Sequence, residues 1–375
     1  MSQFFCTSLW FAGNAVIDDL AAQFNVGFNI LGYLLSFVQF GFIVGTLTFA
    51  LLTLVDRFSP SRIFMVCAFL GAISNLCVLI PNISIINLFT ARFATGLFLS
   101  GIYPVGMKIA SDYYKGGLGK ALGYLVGALV LGTALPHLIH EFSWSSDYRA
   151  VIVSTSILSI IGGLGIRFLV PDGPFRKPVP KFQIGVITQL FEIPSFRKAA
   201  FGYFGHMWEL YAFWAFIPIM LKRYSDLQSI HIKTSFWSFI IIGVGVISCI
   251  LGGFISLKSG SKKVAYYSLL ISGILCITSP FLFGLSPELF MTIMCIWGMV
   301  VISDSPQFST MIAAAAPAEN RGTALTITNC IGFAITIISI QLLTFLAEKI
   351  DTTLLFLPLV FGPLFGVYYL RKKLI

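Results

Sequence analysis

The chain has 375 residues, 57% hydrophobic and only 10% charged, with a net charge of +9 and a mean hydropathy of +0.91. Water would not keep such a chain in solution, so soluble enzyme and binding folds are excluded and an integral membrane protein is indicated. Its 37 phenylalanines and 34 glycines suit helices packed in lipid, and no stretch shows the apolar–polar alternation of a membrane β-barrel.

A membrane-crossing helix needs about 20 mostly apolar residues. Runs of that kind begin near residues 4, 30, 62, 84, 119, 149, 199, 235, 264, 288, 322 and 353. They predict an all-α protein of twelve transmembrane helices in two six-helix halves. The first run starts almost at Met1 and passes into "NAVIDDL". No basic stretch precedes it and no small-residue cleavage site follows, so it reads as a retained span rather than a signal peptide; only three residues precede it, which leaves room for an upstream segment. Residues 171–197, around "VPDGPFRKPVPK", are rich in Pro, Lys and Arg and form the expected cytoplasmic linker between halves 1–170 and 198–375.

Counting Lys and Arg on the two sides of these spans gives 18 against 5, with Arg92 inside a span. The rule that cytoplasmic loops are basic then places both termini in the cytoplasm. Topology accounts for the net charge, and no nucleic-acid partner is needed to explain it. All seven cysteines fall in apolar runs without a C-x-x-C pair or a nearby His, so no metal site or other cofactor is expected.

The halves repeat at an offset of about 203 residues. Gly119 overlies Gly322, Ala121 overlies Ala324, Leu122 overlies Leu325, and Pro104 overlies Pro306 at nearly the same spacing. Two such halves, each starting in the cytoplasm, would be related by an axis along the membrane normal.

With these residues in view the chain resembles the major facilitator superfamily over its whole length. "LVDRFSPSR" is similar to that family's loop between spans two and three: Asp56, Arg57 and Arg62 match, while Ser59 and Leu52 stand where glycine is usual. "ARFATGLFLSG" matches its R-x-x-x-G pattern in span four through Arg92 and Gly96. "GYLVGALVLGTALP" matches the antiporter pattern of span five only in part. "HMWELYAFWAFIP" and "SDSPQFS" look like a prokaryotic branch grouped with nitrate and cyanate porters. The resemblance implies a secondary transporter in which spans 1, 4, 7 and 10 line a central cavity. It carries Asp56, Arg57, Arg62 and Asp112 over as charges that hold the cytoplasmic face shut.

Four side chains ionisable near neutral pH are placed well inside spans: Arg92, His206, Glu209 and Asp304, all on predicted cavity helices. A charge at the bilayer centre costs about 2.5–3.5 kcal/mol on the mildest scale, so each is expected to face water, a partner or the solute. At 1.5 Å per residue, His206 and Asp304 fall at similar depth, which permits a His–Asp pair within the second half. Glu209 is expected to be the protonated carboxylate of a proton-coupled carrier, with His206 and Asp304 setting its charge environment; the competing reading is a purely structural polar cluster. For Arg92 the choices are an anion site or a structural partner to a polar group such as Asn14. Gln307 and Tyr103 are further cavity candidates, and Trp10, Trp208, Tyr211 and Trp214 are candidates for stacking on a ligand. Gly119, Gly123 and Gly127 form a G-x-x-x-G-x-x-x-G face on span 5 for close helix packing, expected against the small residues of span 8.

The function expected is transport of a small solute by a monomer in a bacterial inner membrane, slightly favouring an anion, driven by the proton gradient and not by a cofactor. A proton-driven efflux antiporter for cationic compounds, a polytopic membrane enzyme and a passive channel are the alternatives. No P-loop or nucleophile–base motif supports an enzyme.

Overall fold

The computed structural model describes residues 1–24, 27, 30–113, 118–143, 147–176 and 182–371; the side chains of residues 56 and 118–122 lie outside the described set. The regular structure within it is helical throughout. The chain forms two compact units, Met1–Val179 and Pro180–Ile375. The first contains α1 (Ser2–Thr7), α2 (Ile17–Phe24), α3 (Ile30–Leu51), α4 (Leu54–Arg57), α5 (Pro60–Leu76), α6 (Ile85–Leu99), α7 (Tyr103–Ser111), α8 (Leu118–Phe142) and α9 (Tyr148–Leu169). The second contains α10 (Ile187–Glu192), α11 (Pro194–Gln228), α12 (Thr234–Gly243), α13 (Gly245–Ser259), α14 (Ser261–Leu282), α15 (Pro287–Ser303), α16 (Ser305–Ala315), α17 (Arg321–Ala347) and α18 (Phe361–Arg371).

Among the described residues, 10 helical stretches are long and apolar enough to cross a membrane. Large apolar side chains such as Ile73, Phe168, Leu257, Phe281 and Phe345 are exposed on them, a surface that only lipid or a partner could cover. The runs expected as the first and seventh of twelve spans are not among the 10. The first is α-helical only over Ser2–Thr7 and continues as turns through Val16. There the Leu9 and Trp10 amides donate to carbonyls three residues back, Cys6 at 3.4 Å and Thr7 at 3.1 Å, the spacing of a tighter helix. The seventh, α11, is long enough at 35 residues; its internal His206 and Glu209, with basic residues toward both ends, dilute its apolar character.

Proline sets the interruptions of two long spans. Pro104 stands in the first turn of α7 and Pro306 in the first turn of α16, each just after a break. Pro306 has no N–H for the Ile302 carbonyl, and the thiol of Cys249 approaches that carbonyl at 3.8 Å instead.

The sequence repeat reappears as a packing contact. A Cβ on Gly96 would lie 1.9 Å from the Val38 carbonyl oxygen, so α6 crosses α3 backbone to backbone. In the second unit a Cβ on Gly298 would lie 1.9 Å from the Ile241 carbonyl oxygen, where α15 crosses α12. These partners are 203 and 202 residues further along. Glycine at Gly96 and Gly298 is thus a condition of each unit's tightest crossing. Gly96→Ala or Gly298→Ala is expected to lower stability by about 3 kcal/mol through overpacking, read as a lowered unfolding midpoint in detergent. Gly253→Ala, which would meet nothing within 4 Å, should leave the midpoint unchanged or slightly raised.

Candidate functional site

In the second unit α11 presents His206 and Glu209 on one face, because three residues is close to one helical turn. Both are 1% exposed. Oε1 of Glu209 accepts hydrogen bonds from Trp297 Nε1 at 2.8 Å, Ser272 Oγ at 2.5 Å and Cys276 Sγ at 3.4 Å. Ser272 and Cys276 lie one turn apart on α14, and Trp297 lies on α15. Of the three environments that tolerate a charge among apolar helices, Glu209 has protein partners. Its carboxylate oxygen Oε1 is held by donors from α14 and α15.

His206 Nδ1 lies 2.9 Å from Asp304 Oδ1, both side chains 1% exposed. The imidazole and the carboxylate are thus in close polar contact. Asp304 is the residue between α15 and α16, so the break that Pro306 creates carries the acid. The His206 ring is flanked by Tyr203 and Phe308, with centroids 5.9 and 6.0 Å away. Gln307, one turn from Asp304, is buried.

In the first unit Arg92 on α6 is 1% exposed. Its Nη1 donates to Asn75 Oδ1 at 3.0 Å, and its Nη2 to the carbonyls of Leu9 at 3.1 Å and Trp10 at 3.0 Å. Asn75 on α5 in turn donates to Ile152 O, Thr155 Oγ1 and Ser156 Oγ of α9 at 3.0–3.2 Å. Arg92 therefore meets the first predicted span, through its backbone where α-helical bonding lapses; Asn14 is buried on the same segment. Among the described residues no acidic side chain pairs with this guanidinium, and its Nε, also buried, donates to nothing.

The remaining expected residues are dispersed. Tyr103 opens α7 and is half-buried. Trp10 packs on Phe42, and Tyr211 packs on Trp214 and Phe333, at centroid separations of 4.9–5.4 Å. Trp208 Nε1 donates to the Pro358 carbonyl at 3.1 Å. Each of these contacts lies within a single unit. Of the expected cytoplasmic gate, Arg57 and Arg62 are exposed, the side chain of Asp56 lies outside the described residues, and buried Asp112 pairs with Lys108 one turn before it. The bonds across this region join Phe58 and Ser59 of the motif to Asp172 and Arg176, which lie outside it. Ser59 Oγ donates to Asp172 at 2.7 Å, and Arg176 donates to Asp172 at 3.0 Å and to the Phe58 carbonyl at 2.8 Å. In the glycine face, the side-chain position of Gly119 lies outside the described residues, while Gly123 and Gly127 are buried. A close approach on the same helix occurs at Gly132, whose Cβ would meet Thr7 Oγ1 at 2.1 Å and the Phe4 carbonyl at 2.4 Å.

Sequence reasoning missed Asn75, Ser272, Cys276 and Trp297, each uncharged and silent in a hydropathy profile; the one signal was small polar residues one turn apart, as in Ser272 and Cys276. It also passed over His137 on α8. This imidazole is 1% exposed and its Nε2 has no hydrogen-bond partner among the described residues. It is a fifth ionisable group inside a span, and it lies outside the four predicted cavity helices. A groove of about 960 Å³ in the second unit, bordered by Lys233, Trp237 and Glu288, was likewise not foreseen and does not include the Glu209 cluster. Among the described residues no three His, Cys, Asp or Glu side chains gather as a metal site.

The Arg92 network generates a stability prediction. Asn75→Ala removes the acceptor of one charged hydrogen bond and should cost about 1.5–3 kcal/mol, measured by denaturant unfolding in detergent. Thr155→Val, which keeps the shape and leaves the Asn75–Arg92 bond, should cost less.

Comparison with known proteins places this architecture. The profile of the Major Facilitator Superfamily matches residues 1–340. The chain is similar to the uncharacterized MFS-type transporter YceJ of Bacillus subtilis (strain 168), 23% identical over 285 residues that cover 72% of this chain and 68% of that protein. A multi-pass helical chain matched over nearly all its length in this way belongs to the Major Facilitator Superfamily.

Proposed function

We propose that this member of a family of secondary transporters is a proton-coupled carrier of a small solute, slightly favouring an anion. It works by alternating access as a monomer in a bacterial inner membrane, with both termini in the cytoplasm and residues 171–197 linking its halves. The observation that carries this reading is the buried acid–histidine cluster of Glu209, His206 and Asp304 on α11 and the α15–α16 break. Buried ionisable groups are retained where they move ions or bind solutes, and in this chain the carboxylates stand beside hydroxyl, thiol, indole and imidazole donors. Glu209 takes the proton on one side of the membrane and yields it on the other, while the His206–Asp304 contact sets the neighbouring charge. The anion preference rests on Arg92, a buried cation whose hydrogen-bond partners among the described residues are all neutral.

The second reading, efflux of cationic compounds against protons, draws on the same two carboxylates with Trp297, Tyr211 and Trp214 nearby. Proteoliposomes under an imposed pH gradient, screened with small anions and with cationic dyes, decide between them. Proton movement triggered by an anion supports the first, movement triggered by a dye supports the second, and no gradient-dependent flux overturns both. With whichever solute drives flux, Glu209→Gln should reduce proton-coupled transport to the level of empty liposomes. Unchanged coupling in that variant would remove Glu209 from the mechanism. A C-terminal reporter that matures only in the cytoplasm should fluoresce in cells; a dark fusion would reverse the orientation.

A further inference from the structure

We propose that Ser272 and Trp297 are positioning residues that clamp Oε1 of Glu209 and leave Oε2 as the one oxygen that gains and loses the proton. The inference deepens the reading of Glu209 as the proton site and rests on it. Three donors converge on Oε1, from two helices other than the one that carries the acid. Among the described residues no hydrogen bond reaches Oε2. The clamp is itself held in place: the Trp297 ring packs on Phe213 and Phe356 at centroid distances of 4.7 and 5.5 Å, and its Nε1 also lies 3.2 Å from Ser272 Oγ.

The arrangement divides the work of the two oxygens. In the ionised form, the donors concentrate negative charge on Oε1. When a proton arrives it bonds to Oε2, Oε1 becomes the carbonyl oxygen, and all three donors keep the same acceptor. Loss of the proton reverses the step. The helix packing around α14 and α15 need not change for the proton to exchange, so the clamp fixes the carboxyl rotamer in both states. The titratable groups facing Glu209 among the described residues are Cys276 from α14, Asp304 from the α15–α16 break, and His206 on its own helix.

Infrared difference spectra of the purified full chain, recorded between neutral and acid pH, test this without knowledge of the solute. Acidification should bring up a protonated-carboxyl C=O band that is missing in Glu209→Gln and present in Asp304→Asn. In Trp297→Phe, which keeps the packed ring, and in Ser272→Ala, the band should move to higher frequency, because a carbonyl that loses a donor has a stiffer bond. Cys276→Ala should move it less, its thiol being the weakest donor. A band at unchanged frequency in both Trp297→Phe and Ser272→Ala overturns the clamp while leaving Glu209 as the proton site. If no band depends on Glu209, the clamp and the proton site fall together. Should Trp297→Phe not fold, Ser272→Ala alone carries the same decision.

Discussion

A carboxylate can be buried among apolar helices only when donors meet its charge, and in the second unit those donors come from two helices other than the one that carries Glu209. The magnitudes show why this settles the local packing. A charge at the bilayer centre costs about 2.5–3.5 kcal/mol on the mild scale, while a hydrogen bond to a charged group contributes about 1.5–3 kcal/mol. The bonds from Trp297 and Ser272 together, about 3–6 kcal/mol, are enough to offset the cost. Registers of α14 and α15 that bring both donors to Oε1 are therefore favoured. α11, the longest helix among the described residues, has 21 residues buried, Glu209 among them.

The first unit applies the same constraint to a cation and to backbone. Where the helix begun by α1 lapses into turns, the Leu9 and Trp10 carbonyls lose α-helical donors, and a carbonyl left without a donor in hydrocarbon costs several kcal/mol. Arg92 supplies the donors, and the carbonyl dipoles in turn stabilise the guanidinium. The irregular segment and the buried charge thus explain one another; neither would be stable alone. Asp304 has the analogous relation to the α15–α16 break, where Pro306 ends regular bonding and His206 meets the acid.

The membrane class, the helical fold and the two-part repeat were legible in the sequence because hydropathy and glycine spacing report them directly. So was the His206–Asp304 pairing, since helix rise fixes depth and depth limits the partners. The direction in which a side chain faces within a bundle was not legible. The face of α11 that carries Glu209 is apolar nearly all round, so sequence alone could not separate a water-filled wall from a packed seam. Asn75 and Trp297 stayed hidden because neither carries a charge, although one supports the buried cation and the other the buried anion. Arg57 and Arg62 match a family motif, yet the bonds in that region run through Ser59, Asp172 and Arg176; a motif records residue types and not which neighbours fold over them.

The repeat also separates what the two units share from what they do not. Their tightest crossings use equivalent residues, Val38 with Gly96 and Ile241 with Gly298. At the same offsets the position of Arg92 is taken by Met294, buried and apolar, and the position of Glu209 by Cys6, whose thiol donates to the Ser159 carbonyl at 3.4 Å. The repeat therefore keeps the backbone contacts that allow a helix to cross another at glycine distance, and it does not keep charge. A glycine at such a crossing is costly to replace, because a Cβ strikes backbone; a side chain one turn away can be guanidinium in one unit and thioether in the other where its neighbours also differ. Arg92 comes with Asn75, and Glu209 comes with Ser272 and Trp297, so each charge in this chain is stable only together with the donors or acceptors of its own unit. The buried cation Arg92 and the buried acids Glu209 and Asp304 thus lie in separate units that share one packing plan.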